Sequence, residues 1–316
     1  MRFIHLADVH LGAVPDRGCP WSSRREEEIW ETFRRVIAGI RENPVDLLFI
    51  AGDLFHRQPL LRELKEVNNL FSTIPDTRVY LMAGNHDYIK ADSFYRDFQW
   101  EKNVTFFKNE QLTCVKDEKL DVYVYGLSYE HQEIENPLYD SIHPAEGEGV
   151  HILLAHGGDA KHIPMNIKSI AASGFDYIAL GHIHKLDYNS KENQRIVYPG
   201  STVSLGFDEL GKHGMIVGNI ENEKIKLEFI PLDDEQFTIK ELNVDNIHSK
   251  EELIENINDL EISENEYVEI VLKGNRNFEI NKYDILKFIS NSYIIKIKDQ
   301  TKIAYDLEKL ENEKNF

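Results

Sequence analysis

Five times within residues 1–184 a short apolar run stops, and side chains able to hold a metal ion follow at once. Asp8-Val9-His10 follows residues 2–7, Gly52-Asp53 follows 45–51, and Gly84-Asn85-His86-Asp87 follows 78–83. His156-Gly157 follows 150–155, and Gly181-His182-Ile183-His184 follows 176–180. These runs, and Val122–Gly126, are short and rich in Val, Ile, Leu, Phe and Tyr, as buried strands are. Between the early ones, residues 25–42 and 60–72 have helical spacing, with Ile29, Phe33, Val36, Ile37 and Ile40 on one apolar stripe. This alternation predicts an α/β layer architecture. Strand ends along one edge of a sheet are where such folds build their sites.

Residues two apart in an extended segment point the same way, so Asp8 with His10, and His182 with His184, can each present two ligands to one centre. The glycines before Asp53, Asn85 and His182 permit sharp turns. Carboxylate, imidazole and amide oxygen, without cysteine, suit Mn, Fe, Zn or Ni. Two such ions about 3.5–4 Å apart, sharing one carboxylate, are a known device for displacement at a phosphate ester. A purely structural role is a poor alternative, because so many polar groups at strand ends would make an unsatisfied core.

The set D-x-H, G-D, G-N-H-D, H-G and G-H-x-H, in that order, resembles the calcineurin-like metallophosphoesterase superfamily over roughly residues 1–205. The resemblance implies a four-layer α/β/β/α fold, a two-layer β-sandwich flanked by helices, with two divalent ions. One would be held by Asp8, His10, Asp53 and His184, the other by Asp53, Asn85, His156 and His182, with Asp53 bridging. His86 would lie beside the phosphate and protonate the leaving oxygen, a role for a side chain that trades protons near neutral pH. Asp87 would orient His86.

Asp8–Gly12 and Gly52–His56 further resemble the SbcD-type family, the nuclease subunits of SbcCD-like complexes, as do Tyr198-Pro199-Gly200-Ser201 and Gly206-Phe207-Asp208-Glu209. That resemblance implies a manganese-dependent DNA nuclease, both 3′-to-5′ exonuclease and single-strand endonuclease, acting in double-strand-break processing. It makes His56 a second active-site histidine and adds a small C-terminal α+β domain that caps the site and positions DNA. It implies a homodimer and a coiled-coil ATPase partner of the SbcC type. Family members that bind that ATPase carry a helical docking motif after the cap. This sequence ends at Phe316 without one, leaving open an SbcC-like partner, another partner, or none. The alternatives are a small-nucleotide phosphodiesterase or phosphatase with the same cluster, and a scaffold whose metal site is vestigial.

A composition shift near residues 231–237, through the acidic Asp233, Asp234 and Glu235, divides the chain into 1–236 and 237–316. In the second part Ser249 should cap a helix through Ile257, with Glu251 and Glu252 in its first turn. Residues 266–273 alternate like a strand, and 282–291 read as a helix. The net charge of −19 excludes a broad basic coat for nucleic acid, and it is shared: 237–316 hold 11 basic against 17 acidic residues. A carboxylate-rich site still accepts phosphate once divalent cations reverse its charge. Arg17, Arg24 and Arg25 could contact DNA phosphates, or could start a solvated helix with Glu26–Glu28 as partners. The stripe Leu61, Leu64, Val67, Leu70 and Phe71 reads as core before interface. His5 reads as a structural histidine, and His131, His143, His151, His162, His213 and His248 match no ligand spacing. No apolar run is long enough for a membrane span. Cys19 and Cys114 suggest no disulfide, and residues 1–5 show no signal-peptide pattern, so a cytoplasmic location is expected.

Overall fold

The computed structural model describes residues 1–15, 17, 22–189, 193–222, 224–232, 236–263 and 266–304. Cys19, the acidic 233–235 and the charged tail from Asp306 lie outside these residues. The elements of the first part are β1 (Arg2–Leu6), α1 (Ser22–Glu42), β2 (Leu47–Ala51), α2 (Leu61–Ser72), β3 (Arg78–Met82), β4 (Val104–Phe107), β5 (Thr113–Asp117) and β6 (Val122–Gly126). They continue with β7 (Val150–His156), α3 (Ile167–Ala171), β8 (Tyr177–Gly181), β9 (Asp187–Asn189), β10 (Asn193–Tyr198), β11 (Gly214–Glu221) and β12 (Lys224–Pro231).

Two mixed six-stranded sheets result, ordered β12-β11-β1-β2-β3-β4 and β5-β6-β7-β8-β10-β9. Their centres are parallel: β1, β2 and β3 in the first, β6, β7 and β8 in the second. Period-two alternation sends Phe3, Leu47, Phe49, Tyr80 and Met82 from the first sheet into one core with Val122, Val124, Ile152, Leu154 and Tyr177 from the second. Phe3 and Tyr177 meet at 4.7 Å between ring centroids. The other face of the second sheet carries its own core, including Leu153, Ala155, Ile178 and Leu180 with Ile163, Ile170 and Phe175. Strands apolar on both faces are what parallel sheets covered on both sides require. His5 is buried within the sandwich, its Nδ1 3.0 Å from the Tyr177 hydroxyl.

The two long helices follow their sequence spacing. On α1, Ile29, Phe33, Val36, Ile37 and Ile40 are buried, and on α2, Leu64, Val67 and Phe71. Phe33 and Phe71 join the helices edge to face at 6.2 Å. Leu61 remains 40% exposed, so only part of the α2 stripe is core. Strands β4 and β5 and the short α3 were not anticipated from the sequence.

The chain divides into two compact units. Met1–Ser204 and Lys212–Asp233 form one, while Leu205–Gly211 groups with Asp234–Phe316 in the other. The second unit contains β13 (Gln236–Asn243), α4 (Lys250–Asn258), β14 (Glu266–Lys273), β15 (Asn275–Arg276), α5 (Lys282–Phe288), β16 (Ile294–Asp299) and β17 (Lys302–Ile303). β13, β14 and β16 form a parallel sheet over a core that includes Leu253, Ile257, Val268, Ile270 and Ile285. The Ser249 side chain caps α4 by accepting from the Glu252 amide at 3.1 Å. α5 stops at Phe288, short of the expected Asn291. Ile289 turns extended (ψ 126), and the Ser290 amide is taken by the Asn258 side chain at 2.9 Å.

Candidate metal centre

Each of the five polar segments lies where the sequence places it, at the C-terminal end of β1, β2, β3, β7 or β8. These are central strands of the two facing sheets, so their ends converge. Convergence strains the backbone. Asp8, His10, Asp53 and His182 have φ of 50, 54, 50 and 95°, in the left-handed region that L residues avoid. Neighbouring backbone bonds hold them there, His10 N to Asp53 O at 3.0 Å and Leu11 N to Leu54 O at 2.9 Å. Gly84 is needed for close approach: a Cβ there would overlap the Asp53 carboxylate and lie 2.7 Å from His156 Nε2.

Two groups of donors form. In the first, His10 Nε2 and His184 Nε2 are 2.9 Å apart, and His184 Nε2 is 3.9 Å from Asp8 Oδ1. In the second, His156 Nε2 is 3.0 Å from Asn85 Oδ1 and 3.4 Å from Asp53 Oδ2, and His182 Nδ1 is 3.1 Å from the same Asn85 oxygen. The His156 Nδ1 proton goes to the Ala51 carbonyl at 2.8 Å, which turns the Nε2 lone pair inward. Imidazole nitrogens, a carboxylate and an amide oxygen gathered this closely present lone pairs to a cation once the rings give up their inward protons. This donor chemistry fits hard or borderline divalent ions, and the His/Asp clusters are consistent with a dinuclear metal site.

The electrostatics follow from burial and proximity. Burial drives the His10 pKa well down and raises that of Asp8. Burial also opposes ionisation of Asp53, yet His156 and His10 hold its carboxyl below the usual carboxylate range. The same pairing outweighs the burial of His156 and lifts it to about 9. His182 falls to about 4, through burial and then the nearby His156.

His86 and His56 are only partly buried and sit beside His10. Their rings stack at 4.9 Å, and the His86 ring is 4.8 Å from that of His10. The His86 amide donates to Asp53 Oδ1 at 2.9 Å, and its Nδ1 donates to the His56 carbonyl at 3.1 Å. Two expectations need correction. Asp87 does not orient the His86 ring. It is fully buried and accepts from the Gly84 amide (2.8 Å), the Phe55 amide (3.2 Å) and the Tyr95 hydroxyl (2.8 Å), clamping two of the ligand loops together. Arg25 presents no guanidinium to a DNA phosphate, because it is fully buried and bonded to Glu28 and the Ser204 carbonyl. Arg17 and Arg24 are exposed.

Sequence reasoning missed Asp159 and treated His162 as ordinary. The two form a third cluster with His182. The signal was an acid and a histidine three and six residues after His156, in the loop directly behind β7.

Strand-end donors of this kind, shared by two facing sheets, define a metal-dependent phosphoesterase. The chain belongs to the calcineurin-like phosphoesterase family, whose model matches residues 1–186. It is 30% identical over 251 residues to an uncharacterized metallophosphoesterase, YhaO, of Bacillus subtilis, covering 72% of this chain and 60% of that one. It is 27% identical over 212 residues to the DNA double-strand break repair protein Mre11 of Methanocaldococcus jannaschii, covering 64% and 56%. With Mre11 of Methanopyrus kandleri it shares 27% over 238 residues, covering 67% and 52%. The chain therefore spans between about half and three-fifths of these relatives' length. Among the described residues, no helix is long and apolar enough to cross a membrane.

Proposed function

We propose that this metal-dependent phosphoesterase is a DNA nuclease, a 3′-to-5′ exonuclease and single-strand endonuclease of double-strand-break processing. The observation that carries the reading is the pair of stacked, partly exposed histidines, His56 and His86, beside the His10 end of the donor groups. Asp8, His10, Asp53 and His184 would hold one divalent ion, and Asp53, Asn85, His156 and His182 a second, with manganese as the working metal. When bound, the ions supply Lewis acidity at the phosphate and acidify the water that attacks it.

The protein's own groups do the rest. His86, entering the step as the imidazolium, keeps Nδ1–H on the His56 carbonyl, gives its Nε2 proton to the leaving oxygen and ends as the neutral ring. His56 packs against His86 and His10 and lines the approach of the scissile strand. The Mre11 relatives, named as double-strand break repair proteins, support DNA as substrate. Within this reading the chain acts as a homodimer in the cytoplasm, and its partner is an SbcC-like coiled-coil ATPase, another protein, or none.

The net charge of −19 favours a second reading, a phosphodiesterase or phosphatase for small nucleotides. End-labelled duplex and single-stranded DNA, incubated with Mn²⁺ beside a bis-p-nitrophenyl phosphate control, separate the two. Stepwise shortening from 3′ ends supports the nuclease. Turnover of the small diester with DNA left intact favours the small-molecule enzyme.

A further inference from the structure

Behind the proposed second ion, the loop after β7 folds back on itself. A Cβ at Gly157 would overlap the His162 carbonyl, and Gly158 N donates to that same oxygen at 2.9 Å. The loop is pinned to Ile134, which donates to Lys161 O at 2.8 Å and accepts from Ile163 N at 2.7 Å. The turn puts Asp159 in a fixed place. Its Oδ1 accepts from the amides of Lys161 (2.8 Å) and His162 (2.9 Å), and the His162 ring adds a contact at 2.9 Å to Oδ2. Oδ2 is also 2.7 Å from His182 Nε2. The other nitrogen of that ring, Nδ1, is the one that faces Asn85 Oδ1.

An imidazole has one proton in its neutral form, so a fixed acceptor at one nitrogen decides which lone pair is free. We propose that Asp159 is a positioning residue for the metal centre: it fixes the proton of His182 on Nε2 and so points the Nδ1 lone pair at the second ion. The inference rests on the dinuclear reading of the site. Two amide donors and two histidine contacts already engage the Asp159 carboxylate, which makes it an acceptor for His182 rather than a ligand of its own ion. Carboxylates placed behind ligating histidines raise metal affinity about 10- to 100-fold.

Asp159→Asn keeps a side-chain oxygen for the turn and removes the charge, so the loop should survive. Metal-free parent, Asp159→Asn, His182→Ala and the double variant are titrated with Mn²⁺, free ion being read by electron paramagnetic resonance, and the metal-free melting temperature of each is recorded. Expected are two sites in the parent, with one of them weakened about 10- to 100-fold in Asp159→Asn at an unchanged melting temperature. In the His182→Ala background, Asp159→Asn should add no further loss, and Asp159→Glu should recover part of the affinity. Two ions bound equally tightly by parent and Asp159→Asn would overturn the inference and leave the centre standing. So would an equal loss in the His182→Ala background, or a third bound ion that vanishes with Asp159. A parent that binds fewer than two ions would remove the dinuclear reading itself, and the inference with it.

Discussion

A histidine beside a phosphate can bind, position or move a proton, and on the proposed function His86 does the last. Its amide is tied to Asp53 and its Nδ1 to the His56 carbonyl, and its ring gathers with those of His10 and His56; on the proposed reading it is not one of the ligands. His86→Ala is therefore expected to lower kcat on bis-p-nitrophenyl phosphate by about 10²- to 10⁴-fold while both ions stay bound. Turnover together with elemental analysis of the variant checks this, and loss of the metals would contradict the role. The ligands themselves carry a pH signature. In the metal-free protein Asp53 keeps His156 at about 9, so at pH 7 this ligand holds a proton that an incoming ion must displace. Binding then releases protons, and affinity strengthens as pH rises toward 9, by up to about tenfold per unit for each proton lost. Calorimetric titration with Mn²⁺ in buffers of different ionisation enthalpy gives the proton count. A count of zero at pH 7 would refute the pairing of His156 with Asp53.

At the level of elements, the site depends on loops that meet with no room to spare. A methyl group at Gly84 would strike the Asp53 carboxylate and crowd His156. Gly84→Ala is expected to cost about 1–3 kcal/mol of stability and to weaken the metals shared by those two ligands, as a melting curve and a metal titration would show. The same geometry explains what could be read in advance. Strand β6 has its expected bounds, and β1, β2, β3, β7 and β8 fall within two residues of theirs, because apolar runs buried on both faces are continuous in sequence; β14 has its expected bounds through its alternation. Their polar ends were equally plain, since glycine, carboxylate and imidazole stand directly after each run. Strand β5 was not legible, because its pattern is mostly exposed and its residues, Thr-Cys-Val-Lys-Asp, carry little periodicity. Contacts made across the fold were hidden altogether. Asp87 pairs with Phe55 and Tyr95, not with its neighbour His86, and Arg25 is taken up by Ser204 far along the chain. Asp159 meets His182 only because the loop after β7 turns back, and no spacing rule encodes that turn.

For the whole molecule, charge decides how DNA could be held. A protein of net charge −19 repels a polyanion at long range, and that repulsion weakens as salt shortens the Debye length. A basic binder behaves in the opposite way: each phosphate it neutralises contributes a slope of about −0.9 to the logarithm of affinity against the logarithm of salt. On the proposed function the attraction is local, through divalent ions at a carboxylate-rich centre and a few exposed side chains such as Arg17 and Arg24. Added salt then screens a repulsion and an attraction together, and the two slopes oppose each other. Between about 50 and 200 mM salt, the range over which basic binders lose most of their grip, kcat/KM on single-stranded DNA at fixed Mn²⁺ should change by less than about tenfold. A basic binder making six or more phosphate contacts would lose about 10³-fold or more over that range. A loss of that size here would mean that a basic face, not the metal centre, supplies the grip on DNA.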